Sequence, residues 1–201
     1  MRLRSFFAAL VCCSLACAPA FAAAELGKTA PEFTLTDPSG QAHSLSEYKG
    51  RTVVLEWTNP ECPFVRKHYA SGNMQGLQKT YTEKGVAWLT INSSAPGKQG
   101  NLPAEEWLRW IEENGVASTA VLLDPEGRVG RLYGAKTTPH LFVIAKDGNL
   151  VYQGAIDSVP GTDPAELAEA KNYVRAALDE TLSETPVSEP STRSYGCSVK
   201  Y

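Results

Sequence analysis

The sequence is short of the residues that build metal centres and positively charged surfaces. Its 201 residues include five cysteines and three histidines, with 19 lysines and arginines against 22 aspartates and glutamates. It has no zinc-ligand spacing, no phosphate-loop motif and no internal repeat. The net charge of −3 comes without a basic stripe, which argues against nucleic acid as a partner. No metal or organic cofactor is implied.

Long apolar runs are also absent, apart from one near the N-terminus. Arg2 and Arg4 precede an apolar run over 6–18, and small residues of the A-x-A type follow at 20–24. The run is shorter than the ~20 residues that span a bilayer. It predicts a signal peptide over 1–24 and an exported protein, periplasmic or secreted, with no stable membrane span after cleavage. A retained anchor and a lipoprotein modified at Cys17 are the alternatives.

Signal cleavage would leave few thiols. Cys12, Cys13 and Cys17 lie within the predicted signal, so Cys62 and Cys197 remain. The loss of two arginines would also bring the net charge to about −5. In an oxidising compartment outside the cytoplasm, a cysteine pair can persist as a disulfide. Cys62 and Cys197 are therefore the candidates for redox chemistry.

Apolar runs alternate with helical patterns in a single predicted domain over 25–183. The predicted central strands are 52–57, 86–92, 120–123 and 141–144, and an Asp-Gly turn leads to a return strand at 150–152. The predicted helices are 64–69, 77–83, 103–114, 128–133 and 164–182. This order predicts an α/β fold with a mixed central sheet between helices. The Ser/Thr/Pro-rich segment 184–201 predicts a flexible tail that carries Cys197.

Cys62 lies between an apolar strand and a helix that opens with Pro63. A helix N-terminus has unpaired N–H groups and a partial positive charge, and both favour a thiolate. A thiolate attacks disulfides or peroxides, or binds soft metals. A buried structural cysteine is the alternative.

The motifs together resemble the thioredoxin superfamily. They are Val53–Trp57, Cys62, Thr138-Pro139 and the hairpin at Phe142. The lead-in over 30–35 and the inserted helix bearing Trp107 resemble the redoxin branch, which holds the peroxiredoxins (AhpC/TSA). The resemblance implies a thioredoxin-like three-layer α/β/α sandwich with a redox nucleophile at Cys62.

The resemblance also implies a substrate groove shaped by Thr138, Pro139 and Trp57. A Thr-Pro pair before a buried strand is a place for a cis peptide, since cis bonds are nearly confined to proline. A trans proline that opens the strand is the alternative. For Trp57, which resembles the aromatic residue that shields the thioredoxin site, simple core packing is the alternative.

Two departures separate the chain from the standard family members. Thioredoxins carry Cys-x-x-Cys, but Val65 stands at the second position. Peroxiredoxins carry Pro-x-x-x-Thr-x-x-Cys, and their reactive cysteine would also fall at Val65, while Thr58 is one residue too far from Cys62. The resemblance is therefore to a subgroup with a single cysteine at the first position.

Cys197 is the candidate for the missing thiol. A flexible chain of about thirteen residues has a reach of roughly 20 Å. Because the free energy of loop closure grows slowly with length, a Cys62–Cys197 disulfide within or between chains is feasible. The alternative is that Cys197 stays unpaired or binds a partner.

Three further side chains are candidates for acid/base or thiolate-stabilising roles. Arg66 follows Cys62 on the predicted helix, and His68 lies six residues after it. His140 follows Pro139 and would lie near Cys62 if that peptide is cis. A solvated helix face for Arg66 and ordinary packing for the histidines are the alternatives.

The predicted function is that of an exported thiol oxidoreductase. Cys62 would attack a thiol/disulfide protein partner and Cys197 would resolve the mixed disulfide. One alternative is an antioxidant thiol peroxidase, for which a small peroxide is the substrate. The other is a non-catalytic accessory protein of a metal or haem pathway, with Cys62 and His68 or His140 as ligands.

Overall fold

The computed structural model describes residues 23–201, so nearly all of the predicted signal peptide lies outside the described residues. The strands are β1 (Thr34–Thr36), β2 (Ala42–Ser44), β3 (Val53–Trp57), β4 (Ala87–Asn92), β5 (Ala120–Leu123), β6 (Thr137–Thr138), β7 (His140–Ile144), β8 (Leu150–Gly154) and β9 (Cys197–Ser198). The α-helices are α1 (Pro63–Ala70), α2 (Asn73–Glu83), α3 (Ala104–Glu113), α4 (Arg128–Tyr133) and α5 (Tyr173–Leu182). Two 3-10 helices span Leu45–Tyr48 and Pro164–Glu169.

Seven strands form one sheet in the order β2-β1-β5-β4-β3-β7-β8. Strand β3 runs parallel to β4, and β4 parallel to β5, whereas β7 is antiparallel to β3. Every residue of β3 and β4 is buried, which explains why these segments are rich in apolar residues rather than alternating. The predicted mixed sheet is confirmed.

Helices cover both faces of this sheet. Leu55 and Trp57 of β3 pack on one face in a cluster that includes Tyr133 of α4. Val54 faces the other way, into a cluster with Val65 of α1, residues of α2 and Leu178 of α5. Alternation along β3 therefore feeds two hydrophobic cores, one on each side. The predicted thioredoxin-like three-layer α/β/α sandwich is confirmed.

The helical regions differ from the prediction in two places. Helix α2 begins at Asn73 rather than at residue 77, directly after Gly72, which has the left-handed conformation at φ 73°. The single helix predicted over 164–182 is instead a 3-10 helix followed by α5. Asn172 starts α5 by accepting a hydrogen bond from the N–H of Arg175 at 2.8 Å. No helix within residues 23–201 has the length and apolar character needed to cross a bilayer.

The segment predicted as a flexible tail follows a defined path along the domain. The N–H of Thr192 donates to the carbonyl of Gln153 at 3.1 Å, and the N–H of Val199 donates to that of Lys136 at 3.1 Å. Strand β9 pairs antiparallel with β6. These partners are distant in sequence, so the absence of a local pattern in the tail does not reveal them. The docked tail brings Cys197 close to the N-terminal end of α1.

Candidate functional site

Cys62 is the N-cap of α1. Its backbone is extended, at φ −77° and ψ 123°, and Pro63 occupies the first helical turn, where its missing N–H leaves no bond unmade. The preceding turn is fixed by Asn59, whose carbonyl accepts the N–H of Cys62 at 3.0 Å. The Cys62 side chain is 0% exposed. The sulfur therefore lies at the positive end of a helix and away from solvent.

The Thr138–Pro139 peptide bond is cis, as the sequence suggested. It turns the carbonyl of Thr138 toward α1, where the Cys62 thiol donates a hydrogen bond to it at 3.0 Å. The Thr138 hydroxyl is buried and has no hydrogen-bond partner in the described part of the chain. The cis peptide thus presents one face of β6 to the candidate nucleophile.

Cys197 reaches the same point from the tail. In the β6–β9 pair, Cys197 lies opposite Thr138 and Ser198 lies opposite Thr137. Cys62 and Cys197 are both free thiols, and Cys197 packs against the hydrophobic cluster that contains Cys62. Cys62 is buried, whereas Cys197 is partly exposed. The two thiols left after the predicted signal cleavage therefore meet at one site.

The two sulfurs have different acidities. Burial disfavours charge on Cys62, but the polar groups around its sulfur, the Cys197 thiol foremost, outweigh burial and lower the pKa of Cys62. Burial and the contact with Cys62 raise the pKa of Cys197 to about 11. Cys62 is therefore the more acidic of the two thiols.

Trp57 and His140 do not lie in the groove. Both belong to the opposite face of the sheet from the cluster that contains Cys62. The Trp57 indole is fully buried and donates to the hydroxyl of Ser93 at 3.0 Å. The His140 ring packs on Phe142, 4.5 Å between centroids. The Thr138–Pro139 peptide is cis, but strand alternation directs the His140 side chain away from the sulfur.

The polar contacts of His68 and Arg66 are to residues other than Cys62. The His68 ring is 0% exposed and contacts Asn73 and Tyr195. Arg66 is exposed, and its Nε donates to the carbonyl of Pro60 at 3.0 Å. Within residues 23–201, no three Cys, His, Asp or Glu side chains converge as metal ligands.

The sequence interpretation missed the residues that receive the tail. Asp157 reads as a turn residue and Tyr195 as part of a flexible segment, yet the Tyr195 hydroxyl donates to the Asp157 carboxylate at 2.5 Å. Lys67 lies 5.3 Å from the centre of the Tyr195 ring. The aromatic residue two positions before Cys197 was the available signal for an anchor.

Comparison with known proteins gives concordant matches. Residues 26–153 match the model of the AhpC/TSA family. The thiol-disulfide oxidoreductase ResA of Geobacillus kaustophilus is 30% identical over 128 residues, covering 64% of this chain and 68% of the relative. The relatives therefore support a thiol oxidoreductase of the thioredoxin type.

Solved structures share the fold. The crystal structure of an uncharacterized conserved protein from Geobacillus kaustophilus is 31% identical, with a TM-score of 0.75 over 88% of this chain and 92% of that one. That of a putative thiol:disulfide interchange protein DsbE from Chlorobium tepidum is 26% identical, with a TM-score of 0.52 over 65% and 85%. With its mixed sheet, cis-proline and helix-capping cysteine, the chain belongs to the AhpC/TSA family, in the redoxin branch of the thioredoxin superfamily.

Proposed function

We propose that the protein is a thiol-disulfide oxidoreductase in which Cys62 is the nucleophile and Cys197 is the resolving thiol. The observation that carries the proposal is that both thiols meet at Thr138, beside the cis Thr138–Pro139 bond. The Cys62 sulfur lies 3.0 Å from the Thr138 carbonyl oxygen, and Cys197 lies opposite Thr138 in the β6–β9 pair. The tail supplies the second thiol that Val65 removes from the usual Cys-x-x-Cys position. The thiol-disulfide oxidoreductase relatives support the same chemistry.

Two exchange steps complete the reaction. The Cys62 thiolate attacks one sulfur of a partner's disulfide, so a mixed disulfide forms and the partner's other sulfur leaves as a thiolate. The Cys197 thiol then loses its proton and attacks the Cys62 sulfur, releasing the partner's second thiolate. The partner gains two electrons and two protons, and the enzyme holds a Cys62–Cys197 disulfide. The reverse sequence oxidises a dithiol.

The pKa difference fits these roles. A lowered pKa gives Cys62 a larger thiolate fraction for attack than Cys197, whose pKa of about 11 keeps it protonated until Cys62 has reacted. Once Cys62 is in a mixed disulfide, its negative charge is gone and Cys197 loses one of the causes that raise its pKa. The resolving step is therefore promoted by the attacking step.

The surroundings of the Cys62 sulfur give less support to the two alternative functions, a peroxidase and a metal or haem accessory protein. A peroxidase needs a group that activates the peroxide, but Arg66 bonds to Pro60 rather than to the thiol. A metal or haem accessory needs a ligand beside Cys62, but His68 and His140 face other residues. The proposed partner is a thiol/disulfide protein, and reducing equivalents would come from another thiol protein.

The proposed location is outside the cytoplasm, where the signal predicted over 1–24 would direct the chain. An oxidising compartment would supply disulfide-bonded partners. N-terminal sequencing of the protein recovered from an export-competent host tests the signal, and an N-terminus at residue 23 or 25 is the expected result. An intact Met1 would contradict it.

Parallel oxidation experiments test the chemistry. Reduced protein is mixed either with one equivalent of oxidised dithiothreitol or with one equivalent of hydrogen peroxide, then quenched and alkylated at intervals. We expect the dithiol reagent to produce a Cys62–Cys197 disulfide that reduced dithiothreitol reverses. Rapid consumption of peroxide with a sulfenate at Cys62 would favour the peroxidase instead. If Cys62 reacts with neither reagent, the proposed function is wrong.

A further inference from the structure

The tail is anchored beside the thiols by a buried polar pocket that the exchange chemistry does not use. The pocket consists of His68 on α1 and Asp157 after β8, which are 0% and 2% exposed. The Tyr195 hydroxyl lies between them, 2.5 Å from Asp157 Oδ1 and 3.3 Å from His68 Nε2. A phenol from the tail therefore fills a gap between two buried titratable side chains.

The hydrogen bonds in this pocket define which group is the donor and which is the acceptor at each contact. The Asn73 amide donates to His68 Nδ1 at 2.8 Å, so Nδ1 is the acceptor and Nε2 carries the proton. Burial lowers the pKa of His68 to about 4, which keeps the ring neutral at neutral pH. His68 can then donate to the Tyr195 oxygen, and Tyr195 donates onward to Asp157. Each of the three groups is matched to its neighbour.

The ring of Tyr195 is held as well as its hydroxyl. Lys67 Nζ lies 5.3 Å from the ring centre and donates to the carbonyl of Val159 at 2.9 Å. Phe64 packs on the ring, 6.0 Å between centroids. Phe64, Lys67 and His68 share one face of α1 because of their spacing. The helix that Cys62 caps is thus the helix that holds the tail.

The buried carboxylate of Asp157 favours the conformation in which Tyr195 occupies the pocket. Among residues 23–201 its buried Oδ2 has no hydrogen-bond partner, and His68 Nε2 lies 3.8 Å from it. Oδ1 accepts hydrogen bonds from the Tyr195 hydroxyl and the N–H of Val159. If Tyr195 left, a buried carboxylate would lose its shortest hydrogen bond, which is unfavourable in a medium of low polarity. The pocket therefore stabilises the docked tail.

We propose that Tyr195 is a positioning residue, and that the His68–Asp157 pocket binds its phenol so that Cys197 is held on Cys62. The inference rests on the proposed Cys62–Cys197 couple. Only Gly196 separates Tyr195 from Cys197, so fixing one residue limits the position of the other to within a few ångströms. The pocket thereby sets the effective concentration of the second thiol at the first.

The test compares two tyrosine-to-phenylalanine variants of the full chain. Tyr195→Phe keeps the ring but removes the hydroxyl. Tyr173→Phe is the matched control, because Tyr173 lines the same cleft and its hydroxyl makes no hydrogen bond to residues 23–201. The readout is the reduction potential of the Cys62–Cys197 couple in dithiothreitol buffers, followed by differential alkylation of the two peptides.

We expect Tyr195→Phe to lower the effective concentration roughly ten-fold, because a hydrogen bond to a carboxylate is lost. The potential then becomes less negative by about 30 mV, while Tyr173→Phe stays at the wild-type value. Asp157→Asn, which keeps an acceptor but removes the charge, should shift the potential in the same direction and serves if Tyr195→Phe does not fold.

A wild-type potential in folded Tyr195→Phe or, where that variant does not fold, in Asp157→Asn overturns the positioning role while the couple itself stands. Absence of the Cys62–Cys197 disulfide in the wild-type protein sinks the proposed function instead. The two failures are therefore distinguishable in one set of measurements.

Discussion

Gly196 lies against the carbonyl of Thr138 so closely that a Cβ at residue 196 would be 2.1 Å from that oxygen. Its φ of +128° is also one that residues with side chains rarely adopt. The residue before Cys197 must therefore be a glycine for β9 to pair with β6. Because Gly196 approaches Thr138 so closely, the tail can cover Cys62, which is 0% exposed.

Gly196→Ala should open the site. The added methyl group cannot fit beneath the Thr138 carbonyl, so the tail loses its pairing at Cys197 and Cys62 becomes accessible. We expect Cys62 to react with iodoacetamide at least roughly ten-fold faster than in the wild type, since a well-packed position tolerates no such overlap. Peptide-level mass spectrometry measures the rate.

Gly148→Ala provides the matched control. Gly148 also has a positive φ, +88°, but a Cβ there would meet no atom of residues 23–201 within 4 Å. It carries the backbone cost of the substitution without the clash, so the alkylation rate of Cys62 should not change. Equal rates in the two variants would show that tail docking does not shield Cys62.

Cys197→Ser should trap the first half of the reaction. Cys62 keeps its place at the helix N-terminus, but no second thiol remains to resolve the mixed disulfide. With 2-hydroxyethyl disulfide as the probe, the variant should accumulate an adduct at Cys62, whereas the wild type should pass through it. Intact-protein mass spectrometry follows both. A wild type that accumulates the adduct equally would remove Cys197 from the mechanism.

Stability should fall in mild acid because two histidines are buried. Burial lowers the pKa of His68 and of His140 to about 4, from an ordinary value of 6.5. Between pH 6.5 and 4 the unfolded chain binds protons on these rings and the folded chain does not, so the stabilisation is fully present above pH 6.5 and lost as the pH falls. The slope approaches about 1.4 kcal/mol per pH unit for each histidine.

Urea unfolding at pH 7, 6 and 5 measures this slope. His140→Asn removes one titrating ring and keeps an acceptor for the N–H of Lys136, which His140 Nδ1 accepts at 3.2 Å. We expect the variant to lose about half of the histidine-dependent slope. An unchanged slope would mean that His140 is already protonated in the folded protein.

Glu56 of strand β3 carries a buried carboxyl group, and its replacement by the neutral glutamine should be tolerated. Trp88 and Gln78 donate to it at 2.8 and 3.0 Å, but burial is the larger influence and raises its pKa. The folded protein therefore loses stability as the pH rises through that pKa. Glu56→Gln should gain stability relative to the wild type above pH 4.5, whereas Glu56→Ala, which strands the donors, should cost about 3 kcal/mol.

Thermal unfolding of the two Glu56 variants at pH 5 and pH 8 checks the sign. The gain of Glu56→Gln over the wild type should be larger at pH 8. A glutamine variant that weakens with rising pH would show that the carboxylate is the form favoured by the fold.

Local sequence patterns were sufficient for the sheet and for the start of α1. Strand β3 is a continuous apolar run because both of its faces are buried, and Pro63 marks a helix start because it fits the first turn. In both cases the information lies within a few residues. The cis bond at Pro139 was expected from the family resemblance, because the local Thr-Pro pattern alone left a trans proline open.

Longer-range features could not be read in this way. Which face His140 occupies depends on the register of β7 against β3, where His140 lies opposite Trp57. The docking of Tyr195 depends on His68, which is 127 residues away in sequence. A tail without periodicity gives no local sign of such partners, because its order comes from the surface that receives it.

The central claim is that Cys62 and Cys197 form one redox couple within a single chain. The most direct measurement is to equilibrate the protein in dithiothreitol buffers of graded potential, alkylate free thiols, digest, and identify cross-linked peptides in the monomer. We predict a peptide pair joining Cys62 to Cys197 that appears and disappears as a two-electron couple. Free Cys62 at every potential, or a Cys62 disulfide found only between chains, would contradict the account.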